Sequence, residues 1–124
     1  MKKILLADAV ISGVTGLVMA FGAAPLAQLL GIPEAVLRYA GWSLVPFAIV
    51  VGALSRQADP ARAHVAAVVA ANAAWVAASA AVLVLRVFDP TSLGYAFVIG
   101  QAAVVAVLAE VQYAGLRRAT TAAA

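Results

Sequence analysis

Two carboxylates stand inside otherwise apolar runs of this 124-residue chain, Asp8 near the start and Glu110 near the end. An ionisable side chain at the middle of a membrane span costs roughly 2.5–3.5 kcal/mol and less near its end, so each acid needs a partner or a task. Asp8 shares a helical face with Ser12, Thr15, Met19 and Gly22, a polar and small-residue stripe suited to facing protein. Glu110 precedes Arg117 on one face with Tyr113 between them, and Ala103 and Ala106 extend that face inward. Both acids fall in the inner half of their spans. If the first and last helices are neighbours, the two share a proton, which makes Asp8 and Glu110 candidate protonation sites. The structural reading of the same residues is plainer. Asp8 then hydrogen-bonds a neighbouring helix or pairs with a lysine, Lys3 being only about 7 Å away along the helix. Glu110 then pairs with Arg117, Arg56 or His64 and fixes helix register.

A second polar stripe runs through Asn72, Trp75, Ser79, Val82 and Arg86, on a background of alanines that includes Ala66, Ala67, Ala70, Ala71, Ala74 and Ala78. Alanine lets helix backbones approach where lipid supplies no hydrophobic drive, so this stretch reads as a central helix packed on two sides. Asn72 lies near mid-bilayer and must find a partner there, for which Gln101 is the candidate. Ser12, Thr15, Asn72, Trp75 and Gln101 form the set of candidate cavity-lining residues. Trp42, Tyr39 and Tyr95 suit an aromatic belt at the membrane interface.

Other chemistries find no support in the residues. The chain has no cysteine, which removes disulfides, thiolate catalysis and cysteine-held metals. His64 is the one histidine and has no carboxylate at ligand spacing, so no metal site is expected. No Ser-His-Asp arrangement, glycine-rich phosphate loop or HExxH motif is present, and neither enzyme activity nor a cofactor is expected. A net charge of +3 raises the question of nucleic acid, but the basic residues sit at segment ends and form no stripe.

The elements that must position these side chains are four apolar stretches, Ile4–Ala24, Ala35–Leu54, His64–Leu85 and Leu93–Tyr113, each near the ~20 residues that span a bilayer. With 66% hydrophobic and 10% charged residues, the chain has too little polar surface for a water-soluble globule. The first stretch follows Lys2 and Lys3 but is too long for a signal peptide. Lys2, Lys3, Arg56, Arg62, Arg117 and Arg118 mark one side of the membrane, against Arg38 and Arg86 on the other, which predicts cytoplasmic termini in an inner membrane. Gly22 to Pro25 interrupts the first helix, and Pro25-Leu-Ala-Gln-Leu-Leu-Gly-Ile-Pro33 reads as a short interfacial helical turn. Pro46 falls inside the second span, freeing the Trp42 carbonyl. Asp59-Pro60 and Asp89-Pro90 read as N-caps with proline at the first helical position. A shift of 57 residues lays Pro33 on Pro90 and the first hairpin on the second. The expected fold is an all-α polytopic membrane protein, an antiparallel four-helix bundle with helices at about 4–24, 35–54, 62–86 and 92–116 and a frayed tail.

The basic N-terminus, first helix, Pro25–Pro33 turn and three further spans resemble the small bacterial four-helix membrane proteins grouped around the DoxX-like families. That resemblance implies an accessory role beside a larger membrane complex. Two functions are therefore expected to compete. One is an accessory or structural subunit acting through helix packing with itself or a larger partner in the lipid bilayer. The other is a small proton-coupled transporter or ligand-binding bundle using Asp8 and Glu110.

Overall fold

The computed structural model describes residues 1–123, with side chains through 118. Five helices follow in order: α1 (Lys2–Phe21), α2 (Ala23–Leu30), α3 (Glu34–Ser55), α4 (Arg62–Val84) and α5 (Ser92–Ala123). Four of them, α1, α3, α4 and α5, are long and apolar enough to cross a membrane. Short connections make chain neighbours antiparallel, so the fold is an all-α four-helix bundle with α2 lying at the end opposite the termini.

α1 packs closely along α3, and α4 along α5. The α1–α3 contact is made by glycines: a Cβ on Gly41 would lie 2.6 Å from the Gly16 carbonyl oxygen, so the backbones touch there. α3 continues through Pro46 as one helix. Phe21 and Trp42 meet edge to face near the α2 end, with centroids 5.2 Å apart.

The interruption at Gly22 is real, and α2 ends at Gly31 in the left-handed conformation with φ 66. Thr91 ties this end together. Its backbone N–H donates to the Leu30 carbonyl at 2.9 Å, its hydroxyl donates to the Leu29 carbonyl at 2.9 Å, and Gly94 N–H donates to that hydroxyl at 3.1 Å. Thr91 thus caps α5 while satisfying the last carbonyls of α2. Neither aspartate of the two Asp-Pro pairs caps a helix: Ala61 holds the N-cap of α4, and Thr91 does the work expected near Asp89. α5 also runs on past Arg117 and Arg118, so the small-residue tail is helical to Ala123.

The central-helix expectation for α4 is overturned. α4 packs on α5 and barely touches α3, and it is the least buried of the four spans. Its polar stripe occupies one face, and the alanines on the opposite face are exposed. α5 is instead the junction, contacting α1, α2 and α4.

α4 closes with Val87 N–H donating to the Val82 carbonyl and Arg86 N–H to the Leu83 carbonyl, a Schellman ending in which Arg86, at φ 52, holds the place glycine usually takes. A side chain in that conformation costs about 1 kcal/mol. Arg86→Gly should therefore raise stability by up to about 1 kcal/mol in reversible denaturation, and an unchanged or lowered midpoint would show that Arg86 carries no strain.

Candidate functional site

Three helices meet at a buried polar knot in the half of the bundle that carries the termini. Gln112 Nε2 donates to Asp8 Oδ2 at 2.7 Å, and Asn72 Nδ2 donates to the same oxygen at 2.8 Å. Asn72 Nδ2 also donates to Gln112 Oε1 at 3.0 Å, closing the triangle. Ser12 Oγ donates to Asp8 Oδ1 at 3.0 Å from one helical turn away. Asp8 and Gln112 are 0% exposed and Asn72 is 3% exposed. Asp8 is the acceptor in three of these four bonds, and its cost of burial is met by donors from α1, α4 and α5 rather than by a cation. Among the described residues no buried side-chain nitrogen or oxygen is left without a partner.

Asn72 does not meet Gln101. α4 and α5 run antiparallel, and their register sets Gln101 beside Trp75 and Ser79, a turn toward the α2 end. Trp75 Nε1 donates to Gln101 Oε1 at 2.6 Å, and Gln101 Nε2 donates to Ser79 Oγ at 3.0 Å and to the Val98 carbonyl at 2.9 Å. Ser79 Oγ donates to the Trp75 carbonyl at 2.8 Å. Two polar layers thus hold α4 against α5, and the lower one adds α1.

Small cavities flank these layers. One of about 160 Å³ is lined by Ser12, Ser43, Phe47, Asn72 and Trp75. Another of about 150 Å³ is lined by Ser12, Thr15, Leu44, Trp75 and Gln101. A third of about 200 Å³, almost wholly apolar, lies toward α2 among Met19, Leu37, Trp75, Ser79, Phe97 and Gln101. Trp75 borders all three. Ser12, Thr15, Asn72, Trp75 and Gln101 each border at least one of these partly open pockets, and the polar atoms of Trp75 and Gln101 are engaged with each other.

Glu110 lies apart from them. It is exposed on α5, and Gln112 takes the position beside Asp8. The two residues are about 200° apart around the helix, so only one can point inward. Gln112 was the residue that reading for charge overlooks. Its signal is spacing: Gln101 and Gln112 are eleven residues apart, three turns on one face, together with buried Val98, Leu108 and Leu116. Among the described residues no three His, Asp or Glu side chains group closely enough to hold a metal ion. The chain matches no family model, no curated protein and no solved structure.

Proposed function

We propose that the protein is a non-catalytic inner-membrane module, termini in the cytoplasm, whose work is helix packing, and that a second copy of the chain is the partner its surface fits. One observation carries this reading. Ala63, Ala66, Ala70, Ala74, Ala77 and Ala81 are all exposed and recur at intervals of three and four residues along α4, forming one unbroken face of the least buried span. A helix face made of methyl groups gains little from lipid, because acyl chains are as apolar as alanine, but it lets another backbone approach closely. A twofold axis along the membrane normal sets two copies of α4 parallel, each alanine facing its own counterpart.

The buried polar knot supports the same role from inside. Asp8, Asn72 and Gln112 fix the mutual register of α1, α4 and α5, so that α4 presents its outer face rigidly. The position of Glu110, exposed and away from Asp8, gives no support to a shared proton. Copies labelled with donor and acceptor dyes and mixed in vesicles should show energy transfer that Ala70→Ile with Ala74→Ile abolishes, while Val104→Ile on α5 leaves it intact. Absence of transfer for the unaltered protein at every protein-to-lipid ratio overturns self-assembly.

A further inference from the structure

α3 and α4 are joined by a short loop yet diverge, leaving a groove of about 430 Å³ between them at the end of the bundle that carries the termini. Its walls are Phe47, Val50, Ala53 and Leu54 of α3, with Ala67, Val68 and Ala71 of α4. Gln57 and His64 stand at its mouth, and Arg56, exposed, ends α3 beside Gln57.

We infer that this groove holds one acyl chain of an anionic phospholipid, with the phosphate at Arg56 and His64. Length favours this occupant. From Phe47 to Ser55 the groove follows α3 for about 12 Å and Gln57 carries it past the helix end, close to the depth of one leaflet of a ~30 Å hydrocarbon core. An apolar slot open to lipid at that depth fills with what surrounds it. A polar solute would leave its hydrogen bonds unmade along Val50, Leu54 and Val68. Charge completes the match: the loop bears Arg56 and Arg62 against Asp59, and Lys2, Lys3, Arg117 and Arg118 lie at the same end. Arg62 Nη1 already donates to the Leu116 carbonyl at 3.0 Å, so Arg56 and His64 are the side chains assigned to the headgroup. On α4 the groove residues Ala67, Val68 and Ala71 lie about 100° around the helix from the middle of the alanine face, and lipid retention and self-association are read by different measurements.

The test is native mass spectrometry of the full chain released in mild detergent from bilayers of equal phosphatidylglycerol and phosphatidylcholine. Expected is one retained phospholipid, with phosphatidylglycerol preferred by about fivefold for the Arg56 charge that faces it. Arg56→Gln with His64→Gln should keep the bound lipid but lose the preference, and both residues are exposed, so folding is spared. Ala67→Phe with Ala71→Phe should fill the groove and release both lipids. Equal retention of the two lipids by the unaltered protein, a preference that survives the charge variant, or full retention by the filled variant each overturns the assignment.

Discussion

Asp8→Asn leaves the bundle within about 1 kcal/mol of its original stability, whereas Asp8→Ala removes about 3 kcal/mol. The difference follows from the geometry of the knot. In the asparagine variant the amide oxygen takes the place of Oδ2 and accepts from both Gln112 Nε2 and Asn72 Nδ2. The amide nitrogen takes the place of Oδ1 and donates to Ser12 Oγ, whose hydroxyl hydrogen turns to a backbone carbonyl instead. Every bond count is kept. Alanine leaves Gln112 Nε2 without its acceptor, leaves Asn72 Nδ2 with Gln112 Oε1 alone, and opens a space the packed helices cannot close. Interhelical hydrogen bonds in membranes average about 0.6 kcal/mol and reach about 1.7, so two lost bonds supply part of the loss and the cavity the rest. Reversible unfolding in mixed micelles measures both variants. An asparagine variant as unstable as the alanine one would show that the carboxylate is needed for its charge, which a structural knot does not require.

Gly41→Leu should cost more than about 3 kcal/mol, beyond the usual 1–3 for overpacking a core. The obstructing atoms are backbone: a Cβ at Gly41 would stand 2.6 Å from Ala20 N and from the Gly16 carbonyl oxygen. A flexible side chain could turn aside, but backbone can yield only by moving α1 off α3 along its length. Gly16 is bound in the same way, its Cβ falling 2.8 Å from the Gly41 carbonyl oxygen. Gly100 is the contrast, for nothing lies within 4 Å of a Cβ there. Gly100→Ala should therefore gain up to about 1 kcal/mol from helix propensity alone. Opposite signs for the two positions in one unfolding assay confirm that the α1–α3 seam rests on backbone contact; equal small effects would refute it.

Apolar length and the scarcity of alternatives in lipid made four spans, the break at Gly22 and the short helix before Pro33 readable from residues alone. Asp8 and Ser12 were legible as an inward-facing stripe for the same reason: they share a face with Gly16 and Met19, which are buried. What the residues did not disclose was rotation and register. Glu110 and Gln112 are two residues apart, and without knowing which side of α5 faces α1, charge drew attention to Glu110, whereas Gln112 is the residue beside Asp8. The Asn72–Gln101 pairing failed because similar depth in two antiparallel helices does not establish register, and Trp75 and Ser79 claim Gln101 first. The alanines of α4 were read as contact surface, which fits their chemistry, but a composition rich in alanine on every side cannot say which face has a neighbour.

The most direct measurement of self-assembly is a cysteine scan along α4 in native-thickness bilayers, made clean by the absence of cysteine from the chain. Parallel α4 helices across a twofold axis bring like positions together. Oxidative cross-linking should then peak at Ala66→Cys, Ala70→Cys, Ala74→Cys and Ala77→Cys, and stay low at Val68→Cys and Ser79→Cys, which are buried inside the bundle. Uniformly low yields, or yields that rise on the face toward α5, would contradict assembly through the alanine face.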